Sequence, residues 1–130
     1  MSLTKSPYKS KGGLGRLFNA LRYSQQGLWA ACRHEAAFRQ ELVLTLFLVP
    51  VAFWLSRSLG ELLLLLGSLV LLLVVELLNS ALEALADAIT LDHHPLIGRA
   101  KDLGSAAVML TLLFGAVVWV SLFVIRFMPA

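Results

Sequence analysis

Leu62-Leu63-Leu64-Leu65-Leu66-Gly67-Ser68-Leu69-Val70-Leu71-Leu72-Leu73-Val74-Val75-Glu76-Leu77-Leu78-Asn79-Ser80-Ala81-Leu82-Glu83-Ala84-Leu85-Ala86-Asp87 reads as one helix whose two halves want different surroundings. From Leu62 to Val75 there is no charge, as lipid requires of a spanning segment. From Glu76 onward polar residues return, but only on one side. At 100° per residue, with Glu76 at zero, Asn79 falls at about −60°, Ser80 at about +40°, Glu83 at about −20° and Asp87 at about +20°. Leu77, Leu78, Ala81, Leu82, Ala84, Leu85 and Ala86 fill the rest of the circumference. The helical pattern runs on to Ile89, too long to lie wholly in hydrocarbon, so its C-terminal half is expected to emerge at the membrane interface.

Two more runs flank this one. Leu42 to Leu55, extended backward by Ala36, Ala37 and Phe38, reaches the roughly 20 residues a bilayer demands. Pro50 sits inside it, where a kink is tolerable. Leu103 to Ile125 forms the third, closed by Arg126 and Pro129. Arg57 to Glu61 reads as a short polar turn, and Thr90 to Lys101, with Pro95 and Gly98, as a loop. The 58% apolar composition and mean hydropathy of +0.80 exceed what a core of 130 residues could hide from water. The fold class is therefore an all-α membrane protein, with three transmembrane helices per chain following a surface helix. The first long run begins only at Leu42 and no cleavage pattern follows it, so no signal peptide is expected.

Lys5, Lys9, Lys11, Arg16, Arg22, Arg33 and Arg39 precede the first span, and Arg99 and Lys101 lie between the second and third. On the opposite side stand Arg57 and Arg126 alone. This asymmetry predicts a cytoplasmic N-terminus and a C-terminus outside, for an inner-membrane protein. The same placement explains the net charge of +3 without nucleic acid as a partner. Residues 1–13 are expected to be loose. Residues 14–34 alternate Leu14, Leu17, Phe18, Leu21, Leu28 and Trp29 with Arg16, Asn19, Arg22, Gln25 and Gln26, the pattern of an amphipathic helix lying on the membrane. Residues 35–130 then form the membrane domain. The single Cys32 excludes an intrachain disulfide and a multi-cysteine metal site. His93 and His94 are adjacent and lack the spacing of a helical zinc pair.

An acid at mid-membrane costs roughly 2.5–3.5 kcal/mol on insertion scales. Glu76 is therefore expected to face protein and to carry function, as a general base. Glu83 lies about 10 Å further along the axis, too far for both to grip one ion directly. Its expected partner is a carboxylate from elsewhere, and Glu35 stands at the same level just before the first span. Oxygen ligands of this kind suit Mg²⁺ with substrate phosphates in its shell. Gly98 to Ser105 adds Lys101, which can neutralise phosphate charge, and Asp102. A thin three-span chain is not expected to enclose such a stripe by itself, so a homo-oligomeric bundle is predicted. Ser105, Ala106, Ala107, Gly115 and Ala116 would allow close helix approach.

Glu76-x-x-Asn79-Ser80-Ala81-x-Glu83-x-x-x-Asp87, Glu35-Ala36-Ala37-Phe38-Arg39-Gln40-Glu41 and Gly98-Arg99-Ala100-Lys101-Asp102-Leu103-Gly104-Ser105-Ala106-Ala107-Val108 together resemble the bacterial integral-membrane diacylglycerol kinase family, in its Gram-negative branch. Order and spacing agree from about Gly15 onward. Asn19, Gln25, Pro95 and Ile97 depart from the pattern. The resemblance implies a homotrimer that transfers the γ-phosphoryl of MgATP to diacylglycerol, giving phosphatidic acid. It implies Glu76 as the base, Glu35 and Glu83 as metal ligands, and Asn79, Lys101 and Asp102 in the active site. Arg16, Tyr23, Asp92, His93 and His94 would contact nucleotide. Arg16, Ala37, Phe38, Arg39, Gln40, Glu41, Glu76 and Ser105 would line the lipid path. Family sites are shared between subunits, so Glu35 could serve a neighbouring protomer. No G-x-x-x-x-G-K-[ST] loop, H-R-D or D-F-G motif is present, so phosphoryl transfer would rest on carboxylates and Mg²⁺. The residues also leave open a polyprenol kinase, or a non-catalytic ion-pathway or assembly protein.

Overall fold

A computed structural model describes residues 12–128. The loose segment expected at residues 1–13 falls almost entirely outside them, as do Lys5, Lys9, Lys11 and Pro129. The described residues form four helices: α1 Gly13–His34, α2 Ala36–Leu55, α3 Leu59–Ile89 and α4 Pro95–Phe127. The last three are each long and apolar enough to cross a membrane. The four helices of the sequence reading are therefore present, the last three with the length and composition of spans.

Local chemistry sets each break. Between α1 and α2 a single residue, Glu35, is extended (φ −111°, ψ 105°). Arg39 fixes this elbow: its Nη1 donates to the carbonyls of Cys32 (3.1 Å) and Arg33 (2.9 Å). A cation there meets the orphan carbonyls and the negative end of the α1 dipole. Between α2 and α3, Ser58 caps the helix by accepting from the Glu61 amide (3.2 Å), while Glu61 Oε2 accepts from the Arg57 amide (2.6 Å). This Ser-x-x-Glu pattern is close to a capping box. It starts α3 at Leu59, so the polar turn expected over Arg57 to Glu61 is shorter than that.

The loop expected from Thr90 to Lys101 is corrected more substantially. It ends at His94, and Gly98, Arg99 and Lys101 are helical. His94 Nδ1 accepts from the Leu96 amide (3.2 Å) as the cap. Pro95 then occupies the first helical position, where its fixed φ is pre-organised and its missing N–H is no loss. The proline that suggested a loop starts the helix instead.

Helices α3 and α4 pack along most of their length, with α2 against α3. At the Arg57 end, Ala52, Leu55 and Leu65 are buried and packed against Leu62, Leu66, Val118, Trp119 and Leu122. Trp119 Nε1 donates to Ser68 Oγ (3.0 Å), which donates to the Leu65 carbonyl (2.7 Å). Arg57 Nη2 reaches the Arg126 carbonyl (3.0 Å) and ties the α2–α3 turn to the end of α4. Polar groups inside hydrocarbon must find such partners. Outward, residues such as Phe47, Phe53, Leu63, Val70, Val117 and Phe123 are exposed, the surface expected of a chain solvated by lipid.

Candidate active site

The polar stripe lies along α3 toward its C-terminal end, and its burial falls in steps. Glu76 is 5% exposed and Ser80 8%. Asn79 and Glu83 are half-buried, and Asp87 is exposed. The expectation that one chain cannot enclose the stripe thus fails for Glu76 and Ser80. The foot of α2 brings Glu41 against Glu76, and Ser80 borders the same cleft as Glu35.

Carboxylates converge at this point. Glu76 lies within electrostatic reach of Glu83 and Glu35 and within hydrogen-bonding reach of Glu41. Glu41 is half-buried, and its Oε2 is buried with no protein partner. Asn79 Nδ2 donates to Glu83 Oε1 (3.4 Å) one turn along, leaving Asn79 Oδ1 buried and unpartnered. Lys101, near the start of α4, donates to Asp87 Oδ1 (2.6 Å), and its charge also meets that of Glu83. A cleft of about 760 Å³ opens between α1 and α3 beside these groups. It is bounded by Ser24, Leu28, Ala31, Glu35, Ser80 and Ala84, among others.

Glu35, Glu41, Glu76, Asn79, Glu83 and Lys101 are therefore gathered. The other residues singled out from sequence lie around them. Arg16 is exposed near the start of α1; Tyr23, further along, is half-buried, with the Arg22 guanidinium 5.7 Å from its ring centre. Ala37 and Gln40 are exposed at the foot of α2. Phe38 is 2% exposed and belongs to the packing, while Arg39 is turned to the carbonyls of α1. Asp92 and His93 are exposed in the α3–α4 loop, where His94 acts as the cap. Asp102 and Ser105 are exposed on α4. Asp87 belongs to the stripe, but the sequence alone assigns it no role. Its place one turn after Glu83 on the same face was the signal that it could meet Lys101.

Among the described residues no group of three or more His, Cys, Asp or Glu side chains makes a ready-made metal cage. Mg²⁺ does not need one, since it is commonly held by one or two carboxylates with water and substrate phosphates completing its shell. The donors here are all oxygen, and Glu35 and Glu83 both act on the same neighbour, Glu76. The set fits such an ion.

The sequence profile of the family described as prokaryotic diacylglycerol kinase matches residues 22–123. The chain is 48% identical to a Pseudomonas aeruginosa protein named diacylglycerol kinase, over 92% of this chain and 98% of that one. Proteins of the same name from Haemophilus influenzae and Escherichia coli K12 are 44% and 46% identical, over 86% and 82% of this chain and 94% and 88% of theirs.

Proposed function

Because this chain belongs to the prokaryotic diacylglycerol kinase family, we propose that the carboxylate cluster around its buried Glu76 transfers the γ-phosphoryl of MgATP to the hydroxyl of diacylglycerol. The chain is a lipid kinase, an ATP-dependent diacylglycerol kinase, in a membrane. The residue roles, the metal, the trimer and the orientation are our reading. One observation carries it: an acid that follows an uncharged apolar run is 5% exposed and faces other carboxylates instead of lipid.

Glu76 accepts the proton of the lipid hydroxyl as that oxygen attacks the γ-phosphorus. The bond from the γ-phosphorus to the bridging oxygen breaks, and ADP leaves. Phosphatidic acid is the other product. Glu41, beside Glu76, orients the hydroxyl at the foot of α2. Glu35 and Glu83 would hold Mg²⁺. Bound there, the ion would draw in the nucleotide phosphates and offset their charge. Lys101 turns from Asp87 to a phosphate oxygen, and Asn79 keeps Glu83 in place. Asp102, Arg16, Tyr23 and the Asp92-His93-His94 loop border the nucleotide. Ala37, Gln40, Glu41 and Ser105 border the lipid, while Phe38, packed inside, and Arg39, held on the α1 carbonyls, shape the foot of α2 behind them. Phosphoryl transfer asks for this kind of positioning and charge neutralisation more than for covalent help.

The depth of Glu76 selects the acceptor. A hydroxyl at the lipid headgroup boundary reaches it, whereas a water-soluble alcohol does not. The excess of basic residues before the first span and between the second and third supports a site on the cytoplasmic side of an inner membrane, where ATP is found. Three copies of the chain would bury the exposed flanks of α3 and α4 around the open side of the cleft.

The test is transfer of labelled γ-phosphate by purified protein in detergent micelles, with diacylglycerol, undecaprenol and glycerol as competing acceptors. Labelled phosphatidic acid as the dominant product is expected. Preferential labelling of undecaprenol would move the assignment to a polyprenol kinase. No labelled lipid in any arm would leave a non-catalytic membrane protein.

A further inference from the structure

Glycine is a poor residue inside a helix, so a mid-helix glycine is informative when something fills the space of its missing side chain. A Cβ built on Gly15, Gly27, Gly67, Gly98 or Gly115 would meet nothing within 4 Å. Gly104, three residues after Lys101 in α4, is different. A Cβ there would collide with Asn79 Oδ1, and would lie 3.4 Å from Asn79 Cγ and 3.8 Å from Leu82 Cδ2. The carboxamide of Asn79 occupies the place of that side chain. With Oδ1 buried against the α4 backbone and without a partner, the amide presents Nδ2 to Glu83 Oε1.

We infer that Gly104 is a positioning residue for phosphoryl transfer: the notch it leaves in α4 seats the Asn79 carboxamide, which in turn holds Glu83 in its metal-binding pose. The inference rests on the roles proposed above for Asn79 and Glu83. The notch also fixes the amide's orientation. Adding one methyl group at Gly104 pushes the carboxamide off the α4 backbone toward Glu83, or forces the two helices apart. Either movement displaces a metal ligand by about an ångström, and errors of that size cost about 10²-fold in rate.

The experiment is a double-mutant cycle of Gly104→Ala and Asn79→Ala, with Gly60→Ala as a control. Gly60 lies at the far end of α3, and its added Cβ would meet only Ser58 Oγ, at 3.8 Å. Lipid phosphorylation is measured against Mg²⁺ and against lipid concentration, binding of MgATP in the absence of lipid is measured by calorimetry, and helix content and micellar size are followed by circular dichroism and gel filtration. Gly104→Ala and Asn79→Ala should weaken MgATP binding alike, and unchanged binding in Gly104→Ala would overturn the inference. Gly104→Ala should lower kcat about 10²-fold. It should also raise the Mg²⁺ needed for half-maximal activity and leave the KM for lipid in place. The double variant should be no slower than Asn79→Ala alone, and Gly60→Ala should match the parent.

The inference is overturned if Gly104→Ala turns over normally, if its Mg²⁺ requirement is unmoved, or if the two losses multiply. Should Gly104→Ala fail to fold, the double variant decides. A folded double variant matching Asn79→Ala upholds the notch, and a misfolded one reduces Gly104 to helix packing. If Asn79→Ala has full turnover and an unchanged Mg²⁺ profile, the assignment of Asn79 to the site falls, and the role of Gly104 with it. Loss in Asn79→Ala with a normal Gly104→Ala removes only the role of Gly104.

Discussion

At the Arg57 end of the bundle the polar groups meet partners, whereas at the Glu76 end several do not. Trp119, Ser68 and the Leu65 carbonyl form a closed chain of hydrogen bonds, and Arg57 closes on the Arg126 carbonyl. Around them Ala52 and Leu65 are fully buried. At the other end Glu41 Oε2 and Asn79 Oδ1 are buried without a protein partner, and like charges are gathered around Glu76. Each unmet buried group costs about 1–3 kcal/mol. On the proposed reading, stability is concentrated at the first end and chemistry at the second.

The comparison breaks first at Glu83. Glu83→Gln should lower turnover about 10²–10³-fold, the range for loss of one group that stabilises transition-state charge, and shift the Mg²⁺ profile upward. An unchanged Mg²⁺ dependence would take Glu83 out of the metal site. Asp87→Asn comes next. The Asp87–Lys101 pair is about half exposed (Lys101 40%, Asp87 48%), so thermal stability should hardly move. Lys101 would lose its resting partner, and the KM for ATP should change several-fold. No change in nucleotide kinetics would make the pair a surface ion pair and nothing more. Smallest in activity is Trp119→Phe, which removes one donor from the closed end. It should cost about 1 kcal/mol of stability, seen as a lower midpoint in detergent unfolding, with turnover intact. A large loss of turnover there would erase the division between the two ends.

Much of this division was legible in the sequence, because hydrophobic runs and helical periodicity report directly on lipid and on faces. The three spans, the surface helix and the sidedness of Glu76, Asn79, Ser80, Glu83 and Asp87 follow from spacing alone. Helix boundaries were less legible. Pro95 has the same fixed φ in a loop and at a helix start, and only the His94 cap distinguishes the two. Ser58 and Glu61 carried a capping signal, but they were read as a polar turn. Contacts between distant segments were not legible. Nothing local announces that Glu41 meets Glu76 or that Asn79 fills the notch at Gly104. The burial of Glu76 within one chain was missed for the same reason: it depends on how the foot of α2 packs on α3.

The claim on which the rest depends is that Glu76, deep in the unsatisfied end, takes the proton from a lipid hydroxyl. Its most direct test is single-turnover transfer of labelled γ-phosphate from MgATP to diacylglycerol by Glu76→Gln, in protein shown by nucleotide titration still to bind MgATP. The account predicts retained nucleotide binding with transfer slowed by about 10²–10⁴-fold, the range for loss of a general base. Transfer at the parent rate with the same nucleotide affinity would contradict it.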